Sequence, residues 1–243
     1  GDAPTSIGNF HVPYQSSAIN MGDDMANSET EDLDRNPRIQ GGQIDIGPYE
    51  FNAPDCNLYS GVIYVDTSAV GANNGSNWDS AFTDLQDALQ VAFFCDIDSI
   101  FVAQGVYYPG NPDTVFDRCN PGVIDTIYLP GRTASFNILD SLVVLGGFPS
   151  GGGSLTDRDW ICNKTILSGD IGIAGDVSDN SYHVVTTYNV DSTTVLDGFC
   201  IILGNADGED EFGEGGGWYN VASDDVSSNP VIRNCFFHSN FAN

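Results

Sequence analysis

After about residue 95 the apolar residues come in short runs broken by turn-formers, and helical spacing never recurs. The runs Ile100–Tyr108, Phe136–Leu139, Leu142–Phe148, Thr165–Leu167, His183–Thr187, Thr194–Leu203, Trp218–Val221 and Val231–Phe237 each read as a strand. Three of them carry a weak internal repeat. Val144-Leu145-Gly146-Gly147-Phe148, Val195-Leu196-Asp197-Gly198-Phe199 and Val231-Ile232-Arg233-Asn234-Cys235 each place a turn-forming pair after two aliphatics. Removing the acidic, glycine-rich excursion between Asn205 and Gly217 from the last interval leaves roughly the 20–30 residues of one solenoid coil. The pattern therefore predicts an all-β solenoid of stacked coils. A β-sandwich also yields many short strands, but it accounts less well for the repeat and for what precedes it.

What precedes it is a strand, Val62-Ile63-Tyr64-Val65, and then the one convincing helix, at about 80–94. Ser80 can cap it, and Phe82, Leu85, Ala88, Leu89, Ala92 and Phe93 recur at helical spacing. A lone amphipathic helix ahead of many strands suggests a lid over the open end of a solenoid, where core side chains and strand edges are otherwise bare. Residues 1–53 are turn-rich and end in an alternating stretch, Gln43–Phe51, that reads as a half-buried strand. Residues 54–60 read as a linker, and 61–243 as a second module. Gly1 begins in mid-pattern and Asn243 stops inside a coil. The expectation is a segment of a longer chain, with any targeting signal upstream.

Charge narrows the partners. Against 34 acidic residues stand 7 basic ones, a formal net charge of −27 over 243 residues. Such a surface repels nucleic-acid phosphates and anionic membranes, and no apolar run approaches the ~20 residues of a spanning helix. Nucleic acid and direct membrane insertion are thus excluded as expectations. Strong acidity suits a solvated surface or one that collects divalent cations. Six cysteines at 56, 95, 119, 162, 200 and 235 form no CxxC pair, which argues against structural zinc and for one or more disulfides in an extracellular setting. Six cysteines allow about 15 connectivities, and spacing does not choose among them. Cys200 and Cys235 read equally well as small buried hydrophobes.

Several phrases carry a family resemblance. Ile63-Tyr64-Val65-Asp66, the helix containing Asp84-Leu85-Gln86-Asp87-Ala88-Leu89, and Ile100-Phe101-Val102-Ala103 resemble the N-terminal cap and first coil of a bacterial β-helix family. Asp157-Arg158-Asp159-Trp160, Thr165–Ile171, Asn180–Val185 and Leu196–Phe199 are similar to its later coils. Ser16–Asp23, Asp32–Ile39 and Asp45–Glu50 resemble its closing segment. The family comprises large repeat-containing surface proteins of gliding-type Gram-negative bacteria, pectate-lyase-like in fold and often exported by the type IX pathway. The resemblance implies a right-handed parallel β-helix with an N-terminal capping α-helix, preceded by the C-terminal end of another β-helix module. It also implies an extracellular, cell-surface location and the role of a stalk or adhesin, with a homo-oligomeric fibre and surface glycans as partners.

Catalytic chemistry finds little purchase. Lyases of this fold use a basic residue beside bound calcium, yet Lys164 is the only lysine and the six arginines are scattered. Arg38 and Arg158 sit in Asp- and Asn-rich phrases, where a structural salt bridge is the plainer role. Gly151-Gly152-Gly153-Ser154 lacks the GK[ST] of a phosphate loop. His11, His183 and His238 lie far apart, and no catalytic residue is assigned. A polysaccharide lyase or hydrolase, and a carbohydrate-binding module using Trp218 and Tyr219, remain the alternatives; Trp218, following three glycines, also reads as coil packing. Calcium is the favoured ligand, since hard cations take carboxylate, amide and carbonyl oxygens on glycine-containing loops. Three clusters qualify: Asp23/Asp24 with Asp32/Asp34; Asp170/Asp176/Asp179; and Asp207/Glu209/Asp210 with Glu211 and Glu214. The metal ligands expected are Asp170, Asp176, Asp179, Asp207, Glu209 and Asp210, each of which can also be plain solvated surface.

Overall fold

The computed structural model describes residues 18–33, 35–39, 42–51, 54–110, 131–223 and 226–243. Ser16, Ser17, His11, Asp34, Ala53 and Cys119 lie outside these. The chain divides into two compact units with the boundary between Pro54 and Asp55.

Among the described residues of the first unit, carboxylates organise the backbone. Asp32 accepts from the Asn36 and Glu50 amides at 2.8 and 3.0 Å, and Asp45 from those of Asn20 and Phe51 at 2.7 and 2.5 Å. Asp32, Asp45 and Glu50 are buried, and Glu50 is ion-paired with Arg38. The stretch Gln43–Phe51, expected as a strand, forms bends instead. Gly47 at φ +135° and the folding back of Asp45 and Glu50 onto nearby amides break the alternation.

The second unit is built of β1 (Val62–Val65), α1 (Leu85–Cys95), β2 (Ser99–Ala103), β3 (Gly105–Tyr107), β4 (Phe136–Asn137), β5 (Val143–Phe148), β6 (Thr165–Ser168), β7 (Val185–Tyr188) and β8 (Val195–Asp197). It continues with β9 (Phe199–Ile202), β10 (Asn205–Ala206), β11 (Trp218–Val221), β12 (Val231–Arg233), β13 (Phe236–His238) and β14 (Phe241–Ala242). Every pairing among these strands is parallel. That excludes the antiparallel sandwich. The first sheet runs β1-β2-β5-β8-β12, the second β3-β6-β9-β13, the third β4-β7-β11, and β10 pairs with β14. From β2 onward the chain visits the first, second and third sheets in turn and then begins again, with the short β10, paired to β14, inserted between the second and third sheets on the later passage. Parallel neighbours are therefore joined by passage through the other sheets, not by crossover helices.

Register explains the repeat. Val143, Val195 and Val231 stack, as do Val144, Leu196 and Ile232. The two later copies align as the sequence places them, whereas the first is displaced by one residue. Between Phe101/Leu145 and Ala103/Phe148 the β5 strand carries one extra residue, a bulge at Gly146-Gly147. A Cβ on Gly146 would lie 2.7 Å from Gly198 O, so the bulge needs glycine. The turn-forming pairs mark the corner between first and second sheets, where Gly147, Gly198 and Asn234 have φ of +87°, +89° and +50°. Two expected long strands, Ile100–Tyr108 and Thr194–Leu203, are each split at this corner, at Gln104 and Gly198.

Ile63, Ile100, Val144 and Leu196 form one inward row of the first sheet, all fully buried. Tyr107, Leu167 and Ile201 form the matching row of the second. Outside the first sheet Trp78 packs on Tyr64 and Phe148 at 4.9 and 5.1 Å between ring centroids, and Phe101 stacks on Phe148 at 4.9 Å.

The helix starts later than expected. Its cap is Asp84, whose carboxylate accepts from Gln86 N at 2.8 Å, not Ser80. Phe82 mimics the helical spacing but belongs to the sheet: it bridges Val65, with Phe82 N donating to Tyr64 O and Asp66 N to Phe82 O. Together with Tyr64 N bonding Gly75 O, this segment covers the free edge of β1. The helix buries Leu85, Ala88, Leu89, Val91 and Ala92, leaving Phe93 exposed. The disulfide Cys56–Cys95 pins its end to the turn Cys56–Leu58, within the stretch read as a linker.

At the helix start Asp87 is pushed up to about 6, by burial first and by the neighbouring Asp84 charge second. The folded state then holds a proton that the unfolded chain releases above about pH 4, so stability falls as pH rises from about 4 to about 6 and stays lower above. Asp87→Asn should raise stability by about 1 kcal/mol at pH 7.5, a figure reduced for partial solvent exposure, and change it little at pH 3.5. Urea unfolding of both proteins at the two pH values checks this; equal differences would contradict it.

Candidate functional site

The acidic clusters are placed very differently from one another. In the first unit Asp23 caps the turn Asp24–Ala26, and Asp24 and Asp32 accept backbone amides. Asp23 and Asp32 line a groove of about 910 Å³ together with Gly22, Arg38 and Ile44, all within this unit. The Asp23, Asp24 and Asp32 carboxylates each accept a backbone amide.

Of the expected metal ligands in the second unit, Asp207 is an ion-pair partner. Arg132 Nη2 lies 2.5 Å from it, and that bond holds the Asp207 carboxyl below the usual carboxylate range. Arg132 also donates to Asn180 O and Asn205 O at 2.8 and 2.7 Å and lies 4.1 Å over the Tyr182 ring. Glu209 and Asp210 are exposed around a short 3-10 turn. Asp176 caps another, accepting from Ser178 N and Oγ, which lowers its pKa. Asp170 and Asp179 turn into their own loop, Asp170 taking Gly175 N at 2.9 Å and Asp179 Oδ2 taking Ile173 N at 2.8 Å. Among the described residues no three His, Cys, Asp or Glu side chains are grouped to hold a metal.

What the sequence did not single out is the pair following Asp179. Asn180 and Ser181 are buried, and Asp179 Oδ1, Asn180 Oδ1 and Ser181 Oγ accept or donate no hydrogen bond within the protein. Burial is the informative signal, and two ordinary turn residues do not advertise it.

Three arginines have fixed partners. Arg38 pairs with Glu50 and Arg132 with Asp207; Arg158 bonds Gly146 O, Asp197 O and, at 2.9 Å, the Asp197 carboxylate. The structural roles expected of Arg38 and Arg158 are thus what the geometry contains. Lys164 is exposed beside Cys162 in a shallow groove of about 390 Å³ on the outer side of β3 and β6. Nearby, Cys200 Sγ lies 3.4 Å from His238 Nε2, and burial raises the Cys200 thiol pKa while Lys164 pulls it down. His183 is buried, stacked 4.6 Å from Tyr219. Trp218 is half-buried against the core and donates to Thr187 Oγ1 at 2.8 Å.

No helix among the described residues is long and apolar enough to cross a membrane. Comparison with protein-family models, curated proteins and solved structures returned no match.

Proposed function

We propose that the second unit is the helix-capped start of a right-handed parallel β-helix, and that the chain is a stiff structural segment of a secreted, cell-surface appendage. The observation that carries this is the cyclic order of the strands through three parallel sheets, with one inward row, Ile63, Ile100, Val144, Leu196 and Ile232, continuing from circuit to circuit. In such a stack each coil rests on its neighbours, and length is added by repetition without a new core being designed. Reach and stiffness are then the function, and no catalytic group is required.

Other features agree with an extracellular stalk. A disulfide suits an oxidising compartment. A net charge of −27 keeps such rods solvated and apart until specific flanks engage. The resemblance to type IX-exported surface proteins supplies the adhesin role, with surface glycans as targets and side-by-side packing into a fibre as the assembly.

Immunogold microscopy on intact cells producing the protein tests the reading. Label is expected outside the cell envelope, on projections, without permeabilisation. Label that appears only after lysis would overturn it.

A further inference from the structure

The loop between β6 and β7 closes on itself, with Ser181 N donating to Gly169 O at 2.9 Å. Two carboxylates face inward, because their hydrogen-bond donors are amides of the loop: Gly175 N for Asp170 and Ile173 N for Asp179. Gly172, at φ +73°, lies against Asp179, where an added Cβ would sit 2.5 Å from Oδ2. One Asp179 oxygen is thereby fixed, and the other, Oδ1, is buried without a hydrogen bond.

The next two residues repeat the situation. Asn180 is 2 % and Ser181 0 % exposed, and the side-chain oxygens of both are buried without a partner. Neither can swing away freely. Asn180 Nδ2 is held on Leu203 O at 2.7 Å, and the Ser181 backbone is bonded at both N and O, to Gly169 and Asn205. Among the described residues four buried side-chain atoms lack a partner, and three of them are on these consecutive residues. Their Cα atoms span no more than about 7.6 Å.

Such a concentration is costly. A buried neutral group left unpaired destabilises the fold, and a charged one does so more strongly. Charge decides what relieves it. Residues 169–181 hold three aspartates and no basic residue. The nearby cation, Arg132, is committed to the Asn180 and Asn205 carbonyls and to Asp207. A carboxylate, an amide oxygen and a hydroxyl together form an all-oxygen donor set, which suits a hard cation. Calcium tolerates irregular geometry, whereas magnesium demands near-ideal octahedral ligands.

We infer that this closed loop end binds one calcium ion, with Asp179 Oδ1, Asn180 Oδ1 and Ser181 Oγ as its protein oxygens. The site differs from the acidic clusters read in the sequence: it uses two neutral residues and leaves Asp176 and Asp207 out. It is independent of the stalk reading. With a single carboxylate ligand the affinity belongs at the weak end of calcium sites, a Kd of about 0.1–1 mM, which extracellular calcium meets and cytosolic calcium does not.

Calorimetric titration of the chelator-stripped chain with calcium chloride tests this. One saturable site per chain is expected, with calcium raising the melting temperature. Ser181→Ala, a small change at a buried position, should weaken binding severalfold and Asp179→Asn about tenfold or more, while Asp176→Asn and Asp207→Asn leave it unchanged. Melting in chelator separates a folding defect in Asp179→Asn from a ligand loss, and Ser181→Ala stands as the second variant. The inference is overturned by absence of saturable binding at ~10 mM calcium, far above that Kd. It is equally overturned by binding that survives both Ser181→Ala and Asp179→Asn, or by equal losses in all four variants. A Ser181→Ala protein that is destabilised alike with and without calcium, and binds it alike, would point to a buried water instead and overturn it too.

Discussion

Replacing Cys56 and Cys95 together by serine is expected to lower the unfolding free energy by about 4 kcal/mol. The bridge closes a loop with a sequence separation of 39 residues, and the loop-closure entropy for that length gives about this figure at 25 °C. It also ties the C-terminal end of α1 to the Cys56–Leu58 turn, so the helix end should fray when the bridge is lost. For a chain of this size, 4 kcal/mol corresponds to a fall in melting temperature of roughly 10–15 °C. Melting the wild type in excess reductant should reproduce the loss, because the described cysteines Cys162, Cys200 and Cys235 are free thiols. A fall of less than about 3 °C would show that residues 56–95 stay ordered in the unfolded chain, since the expected gain assumes that they do not.

Leu196→Ala should cost about 4 kcal/mol, and Ile232→Ala only about 1. The two residues belong to one inward row and are directly paired across β8 and β12. Leu196 is fully buried between its neighbours in β5 and β12, so truncation leaves an enclosed cavity. Ile232, 45 % exposed, has a neighbour on one side only, and its truncation leaves an open notch. Urea unfolding of the two variants reads the difference directly. Equal losses would mean that the circuits do not stack as independent layers, and would remove the physical basis of the stalk.

Sequence reasoning found the strands that lie between clusters of turn-formers. Val62–Val65 and Trp218–Val221 coincide with β1 and β11. It missed the breaks at Gln104 and Gly198, because a corner of a single residue leaves the apolar runs on either side reading as one strand. Strands as short as β10 and β14 carry no period at all. The helix start was misplaced because Phe82, paired with Val65, happens to fall at helical spacing from Leu85 and Leu89. The buried, unpartnered oxygens of Asp179, Asn180 and Ser181 were harder still. Adjacent acids suggested a cluster at Asp207, Glu209 and Asp210, but the partner that matters to Asp207 is Arg132, 75 residues earlier. Asn180 and Ser181 become informative only once their burial is known.

The segment that bonds the outer edge of β1 has a consequence for misassembly. Tyr64 and Asp66 are satisfied there by Gly75 and Phe82. A backbone edge that is already bonded offers no template to a passing strand, so this rim of the first sheet is closed to strand addition by another chain.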